Sequence, residues 1–584
     1  MVYSTLDSAA KQVRLLHLHP GSNDDKVSCT LRVVSLDDKP EYEALSYVWG
    51  DASDTVDINV QKEPKPVTKN LCAALMKLRF EAEERVLWVD ALCINQLDIP
   101  ERSQQVRVMA AIYSQASRVV VYLGATWDGY EMAFEAIRQV GEDETLHFDG
   151  NNEQSMDVQG LDLKSRVLRD QVKKFYQAGW WSRIWTVQEF VLAKQALICC
   201  GACEIPGQLA LRCVKHYMNH ITRGCCAATM TNEELDMSLV KAMDKAQTLE
   251  RFRQVNESQR NNVRLLAVLV HFQRRHASDA RDKVYGLLGL GVSSYIKPLE
   301  PDYSKPVEQV YQEVAMLDIT ESKSLLCFSC LYQRQPDSKL PSWTPDWFGR
   351  SDSEVMQEDY VLLRLRLTDK YNACADRRKE YIKVDQRTIR VTGVVVDNIA
   401  ASNPRTQVSK IDYLKSVRSI IPNKDQAYAE TAQSVETALQ MTMCGGLETA
   451  HNNTYYRRID DPPGHFGAWE RWEAHVLTAT RDQRPAMLSI SLTHEVMTGG
   501  RCFVTTAKGY FGFAPTECRE GDVVVVLYGG RVPYVLRPID GTETGSHRRD
   551  YVLLGDAYIH GIMDGEAFEG VEEGDARLLN FDIV

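Results

Sequence analysis

Leu87-Trp88-Val89-Asp90-Ala91-Leu92-Cys93-Ile94-Asn95-Gln96 decides how the N-terminal half of this chain is read. Val86 to Val89 is an unbroken apolar run, which suits a strand covered on both faces, as in a parallel sheet. Asp90 falls where that strand would end. In open α/β sheets ligands sit outside the carboxyl ends of the strands, so a carboxylate there raises a functional question. The segment then enters a helix: Asp98 is a candidate cap, Pro100 suits the first turn, and Glu101 stands three residues after the cap. Val106, Met109, Ala110 and Tyr113 form its buried stripe.

Outward from this point the same alternation continues. Val13–Leu18 and Ser28–Val34 are strand candidates flanking the turn-like Pro20-Gly21-Ser22-Asn23-Asp24. Ala44–Val48 is a strand that ends in the loop Trp49-Gly50-Asp51, where Gly50 permits a positive φ or close approach to a ligand. Thr68–Phe80 has helical spacing with Thr68 as its cap. Arg118–Leu123 is a third buried strand, closed by Gly124. Gly141–Asp157 reads as an exposed acidic insertion. Ser182–Leu192 reads as a helix capped by Ser182, with Ile184, Val187 and Val191 toward the core and Glu189 beside Trp185, off that stripe. Gln195–Cys200 is a further strand. Strand, helix, strand, helix, strand argues a parallel sheet.

Beyond residue 230 the period is mostly helical to Leu290, including Asp279–Leu288. Asp302-Tyr303-Ser304-Lys305-Pro306 starts another helix. Pro341–Trp347 reads as a rigid aromatic connector and domain boundary. Tyr381–Val396 alternates like a hairpin, Asp412–Thr442 reads as helix, and Arg501–Glu566 is glycine-punctuated strand sequence of the kind found in a small barrel.

With 584 residues, two to four domains are expected. The formal net charge of -12 argues against a nucleic-acid binder and against an anionic membrane surface. No apolar run is long enough for a membrane span, and Met1–Lys11 lacks the apolar core of a secretory signal. Fifteen cysteines, an odd number spread along a long chain, fit reduced thiols in a cytoplasmic protein.

Three blocks together are specific: Ala44–Asp51, then Trp88–Gln96 followed by Glu101–Val106, then Arg183-Ile184-Trp185-Thr186-Val187-Gln188-Glu189. They resemble the heterokaryon-incompatibility (HET) domain of filamentous fungi over roughly Tyr42–Cys200. Asp279–Leu288, Pro301–Tyr303, Pro341–Trp347 and Tyr558–Glu566 resemble the C-terminal half of long HET proteins. The resemblance implies a distant relationship to the Toll/interleukin-1-receptor (TIR) fold. The fold expected is therefore α/β: a TIR/flavodoxin-like parallel sheet in the N-terminal half, a helical middle region and a β-rich C-terminal region. The expected segments are 1–230 (HET domain with N-terminal strands), 231–347 (helical) and 348–584 (α+β, ending in a small β-barrel-like module).

Some TIR domains cleave NAD with a glutamate four residues after an aromatic, and Trp185 to Glu189 has that spacing. Thr186 and Val187 replace the cysteine and leucine of the TIR pattern. The resemblance implies Glu189 as the catalytic residue, with Ser46, Trp49, Gly50, Asp51, Asp90, Asn95, Arg102, Arg183 and Trp185 as substrate-binding candidates. Breaking the nicotinamide–ribose bond builds positive charge at the anomeric carbon, which a carboxylate stabilises. Nicotinamide leaves as a neutral molecule, so no strong general acid is required. Trp185 would shield the carboxylate or stack on a ring, and Arg102 and Arg183 would bind pyrophosphate.

Each residue also has a plain structural reading. Glu189 would be a salt-bridged helix residue, Asp90 a loop tie, Asn95 a turn former and Trp49 core. Ser46 has no histidine near it in sequence and no Gly-x-Ser-x-Gly elbow, which argues against a nucleophile. Cys213, His216 and His220 share a helical face near Cys199, Cys200, Cys203, Cys225 and Cys226, but their order matches no known zinc finger, and no metal is expected. Cys327–Cys330 lacks the setting of a redox motif, and Gly286–Gly291 that of a dinucleotide loop.

The function expected is non-self recognition and programmed cell death through hydrolysis of NAD or a related nucleotide. No cofactor is expected, NAD being a substrate. The resemblance also implies self-association through the HET domain and an activating protein partner. The alternatives are a non-catalytic protein-interaction module, or a HET fold recruited to small-molecule biosynthesis.

Overall fold

The computed structural model describes residues 3–22, 25–146, 166–223, 237–258, 263–290, 299–331, 338–348, 363–378, 381–385, 387–404, 410–421, 427–429, 433–450, 455–459, 467, 469–474, 493–539 and 550–584. The chain divides into two compact units, Met1–Val307 and Glu308–Val584.

The first unit begins with β1 (Gln12–Leu18), β2 (Ser28–Ser35), β3 (Glu43–Tyr47), β4 (Thr55–Val60), β5 (Glu63–Thr68), α1 (Lys69–Leu78) and β6 (Arg85–Trp88). A single helical turn, α2 (Asp90–Cys93), precedes α3 (Ile99–Gln115), β7 (Val119–Tyr122), α4 (Tyr130–Glu142), α5 (Arg166–Gln177) and α6 (Thr186–Val191). Then come β8 (Ala196–Cys200), β9 (Cys203–Pro206), α7 (Gly207–Arg223), α8 (Met237–Ser258), α9 (Leu265–Phe272) and α10 (Asp282–Tyr285).

The strands form one sheet in the order β5-β4-β2-β1-β6-β3-β7-β8-β9. Its centre is parallel: β3 pairs with β6 and β7, and β7 with β8. In chain order these four strands stand 2-1-3-4, the start of the flavodoxin-like order. The order reverses between β3 and β7, and ligands in such sheets bind at that reversal. All four residues of β7 are buried, as a strand covered on both faces requires. The outer strands pair differently, β1 antiparallel to β6 and β9 antiparallel to β8. Pro64 and Pro66 lie in β5, an edge strand, where missing N–H donors are tolerated.

The helix starts follow the sequence. The Thr68 side chain accepts from Leu71 N at 3.3 Å and caps α1, and Asp98 Oδ1 accepts from Glu101 N at 3.0 Å and caps α3. Glu101 does not close a reciprocal capping box. Its carboxylate takes the buried Arg14 guanidinium of β1 at 2.6 and 3.0 Å, and Asn95 N at 2.7 Å.

Two expectations are corrected in this unit and two in the next. Gly141 is no insertion residue: it is buried in α4, where a Cβ would come within 2.5 Å of the Leu209 carbonyl on α7. Residues 147–157 lie outside the described residues. Ser182 does not cap the Glu189 helix. It ends a 3-10 turn (Gly179–Ser182), and α6 starts only at Thr186. The cause is a β-bridge between Arg183 and His276 that holds the chain extended before the helix. The helical reading of Asp412–Thr442 as one element also fails, as described below for the second unit.

The second unit contains α11 (Val307–Ser322, which begins at the boundary residue), β10 (Ile382–Lys383), β11 (Ile389–Pro404), α12 (Lys410–Ile420), α13 (Val435–Met443), β12 (Leu447–Ala450) and β13 (Tyr455–Arg458). It ends with β14 (Arg501–Thr506), β15 (Phe511–Pro515), β16 (Val523–Leu527), β17 (Tyr534–Pro538), β18 (Asp550–Asp556), β19 (Tyr558–Ile559) and β20 (Leu579–Ile583). Strands β16, β17, β18, β20 and β11 are joined in that order, and β16 pairs back onto β11, so the sheet closes on itself. Register shifts at Val395/Asp397 and Ile399/Ala401 bend β11. It can therefore serve β20, β16 and β14 in succession. Val394, Val396, Val504, Val524, Val526 and Val535 share the core.

Here α12 and α13 are separate, with Ser434 capping the second, so Asp412–Thr442 is not a single helix. Pro341–Trp347 is packed rather than a connector. Trp343 and Trp347 are buried, Trp343 Nε1 donates to the Arg387 carbonyl at 2.8 Å, and Ser342 N donates to the Val584 carbonyl at 2.8 Å.

Candidate functional site

Strand β3 carries Ser46 to the carboxyl rim of the sheet, beside the reversal of strand order. Its hydroxyl accepts from Trp180 Nε1 at 2.7 Å. The one hydroxyl proton is therefore free to go to Glu189 Oε2, with which Ser46 makes a short hydrogen bond. Glu189 sits on α6 and is only 4% exposed. Tyr113 of α3 presents its side chain to the same carboxylate, and its hydroxyl lies 3.5 Å from the Leu45 carbonyl. Burial pushes the Glu189 pKa up to about 7. Arg183 and the Ser46 and Tyr113 hydroxyls pull it down, and the charge of Asp90 pushes it further up.

Asp90 opens α2 at the end of β6. Its carboxylate accepts from Trp49 Nε1 at 2.7 Å and from Ala91 N at 2.7 Å, and it shares a hydrogen bond with Tyr47. Loss of solvent raises its pKa, against the pull of Arg183 and of these donors. Gln96 Nε2 ties the Asp90 carbonyl at 3.0 Å. The Arg183 guanidinium donates to the Tyr47 carbonyl and acts electrostatically on both Asp90 and Glu189. Two carboxylates thus share one guanidinium, and both hold their protons more tightly than free carboxylates do. Trp49 is 37% exposed and is the most exposed residue of this cluster.

The structure brings Ser46, Trp49, Asp90, Arg183 and Glu189 together. Gly50 follows Trp49 with φ +80°. Asp51 turns back on its own loop, accepting from Ser53 N and Oγ at 2.8 and 2.7 Å. The Asn95 backbone serves the Glu101 carboxylate. Trp185 and Arg102 belong to a second cluster. Trp185 Nε1 donates to Asp282 Oδ2 at 3.0 Å, and the Arg102 guanidinium lies 3.8 Å from the centre of the Tyr303 ring. The structure thus places these two side chains against Asp282 and Tyr303 rather than with Ser46, Asp90 and Glu189. Tyr47, Tyr113 and Trp180 were missed. Their signals are faint: Tyr47 adjoins Ser46, Tyr113 is one of a buried stripe, and Trp180 is one of a Trp-Trp pair.

The histidine–cysteine face has ordinary partners. His216 Nδ1 lies 2.7 Å from the Val140 carbonyl, and His220 Nε2 lies 2.7 Å from the Glu144 carbonyl. Cys225 and Cys226 fall outside the described residues. Among the described residues no group of three or more His, Cys, Asp or Glu side chains is placed to hold a metal ion. Nor is any helix among them long and apolar enough to cross a membrane.

This arrangement can hold or release a proton near neutrality at Glu189 and can present carboxylate charge to a cationic centre beside an indole. Comparison with known proteins adds the following. Residues 42–189 match the family model described as Heterokaryon incompatibility protein (HET). Residues 467–579 match the Het-6 beta-barrel domain. The chain is 27% identical to "Heterokaryon incompatibility protein 6, OR allele" of Neurospora crassa, across 98% of this chain and 97% of that protein. No solved structure matches the chain significantly.

Proposed function

From a chain that carries a HET domain followed by a Het-6 β-barrel domain, we propose a cytoplasmic protein of heterokaryon incompatibility. In this reading its N-terminal unit senses or executes non-self recognition by hydrolysing the nicotinamide–ribose bond of NAD or a related nucleotide, and cell death is the output. The observation that carries the reading is the buried Glu189 carboxylate joined to Ser46 at the carboxyl end of β3, with Asp90 and Trp49 beside it. The strand order 2-1-3-4 supports it, being compatible with the flavodoxin-like sheet that a distant TIR relationship implies.

The chemistry follows from the residues. As the bond to nicotinamide stretches, positive charge grows on the ribose, and a carboxylate in a site of low dielectric stabilises it strongly. Ser46 and Trp180 hold that carboxylate in one orientation. Trp49 offers an aromatic face to the pyridinium. Purified full-length protein incubated with NAD tests the reading. Glu189→Gln keeps the shape and removes the charge, and should lower cleavage by about 10²-fold or more. Cleavage should rise through about pH 7 as Glu189 ionises.

One observation favours a second reading, a non-catalytic module that binds a partner or another copy of itself. Glu189 is 4% exposed and already bonded by Ser46, as a purely structural acid would be. NAD left intact at high protein concentration, in assembled as well as monomeric states, would decide for that module.

A further inference from the structure

Helix α6 has six residues and no side-chain cap at its start. A helix that short does not hold its own shape in water. Its position must come from what binds it, and several partners of α6 and of the residues leading into it lie in a later segment, residues 273–290, well past the end of the HET match at residue 189.

The contacts run along the strip residue by residue. His276 N donates to the Ser182 carbonyl at 2.6 Å, and Ile184 N donates to the His276 carbonyl at 2.9 Å. The buried Arg275 guanidinium donates to Thr186 Oγ1 at 3.1 Å. Asp282 accepts the Trp185 indole N–H at 3.0 Å, and Gly289 N donates to Gln188 Oε1 at 3.1 Å. Asp282 is itself fixed by the Tyr303 hydroxyl at 2.5 Å. The segment is closed on itself by Lys283 Nζ, which donates to the carbonyls of Gln273 and Arg275.

We propose that residues 273–290 form a strap that belongs to the Glu189 site, with Asp282 as its positioning residue. Asp282 acts through Trp185, which begins the turn that carries Glu189. As a positioning role for Glu189 in catalysis, this rests on the reading under Proposed function; as a statement of what holds α6, it does not. The Trp185–Glu189 spacing thereby takes another meaning: from neighbouring positions on one turn, the aromatic reaches Asp282 of the strap and the acid reaches Ser46 of the sheet.

The test uses the full-length chain with Asp282→Asn and Trp185→Phe, the latter removing the indole N–H while keeping a smaller aromatic side chain. Backbone hydrogen exchange over residues 186–190 should become about tenfold faster in each, the loss expected for one internal hydrogen bond. Water reaching Glu189 should also move its ionisation to lower pH. Two measurements report that ionisation: the acid limb of NAD cleavage, and, without substrate, the pH dependence of the stability difference between each chain and its Glu189→Gln counterpart. Faster exchange with a displaced ionisation supports the strap. Unchanged exchange, or faster exchange with the ionisation unmoved, overturns it. If the wild-type chain leaves NAD intact, the catalytic reading falls, and the exchange and stability measurements still decide the strap.

Discussion

At the scale of single residues, Glu189 ties stability to pH in a direction opposite to most carboxylates. Its folded pKa, about 7, lies above the ordinary 4.5. The folded state therefore binds the proton more tightly than the unfolded state does. The stabilisation is complete below about pH 4.5 and is lost as pH rises through about 7. Glu189→Gln cannot ionise, so it should gain on the wild type by an amount on the order of 3 kcal/mol between pH 4.5 and 8.5. Urea denaturation of both proteins at several pH values measures this. A constant difference across that range would show that the carboxylate is no more buried in solution than an ordinary surface acid.

At the scale of elements, one buried ion pair joins the outer half of the sheet to the helix that follows Asp90. Arg14 of β1 is 1% exposed and reaches Glu101 of α3 and the Cys93 carbonyl at 3.0 Å. Taking one partner away leaves a buried charge, which costs about 3–5 kcal/mol. Arg14→Met should therefore destabilise the chain by about that much. The double variant with Glu101→Gln should recover part of the loss, because the orphaned charge is gone. Denaturant midpoints of the two singles and the double measure the coupling, and strict additivity would refute it. The same elements show why the sequence was readable here: Asp98 and Thr68 cap their helices as their residue types require. Glu101 was readable as a first-turn acid but not as the partner of an arginine eighty-seven positions earlier.

At the scale of the whole molecule, one group in each unit should contribute pH dependence of opposite sense. In the second unit His560 is buried, its Nε2 2.7 Å from Gln433 Oε1 and its Nδ1 3.3 Å from the Tyr558 hydroxyl. Burial, with Arg458 nearby, pushes its pKa down to about 4. The folded state thus binds a proton less tightly than the unfolded state. Stability is present above about pH 6.5 and is lost as pH falls toward 4, by an amount on the order of 3 kcal/mol. His560→Gln should flatten that slope. Following acid unfolding with one probe in each unit reads both effects. Protonation of His560 should weaken the second unit on acidification, while protonation of Glu189 favours the folded first unit.

The sequence by itself determined the local pieces: the buried parallel strands from Val86–Val89 and Arg118–Leu123, the caps at Thr68 and Asp98, and the strand-rich C-terminal region from its glycine-punctuated runs. These rest on periodicity and on backbone preferences that act over a few residues. It also placed Ser46, Trp49, Asp90, Arg183 and Glu189 as candidates that the fold gathers at one rim. Only the tertiary structure decided where each side chain points and what holds it. Trp185 turns to Asp282, Arg102 to Tyr303, and Ser182 ends one turn instead of starting the next, because an extended bridge to His276 takes the chain first. Such pairings join residues about a hundred or more positions apart, and no local rule carries information over that distance; packing does.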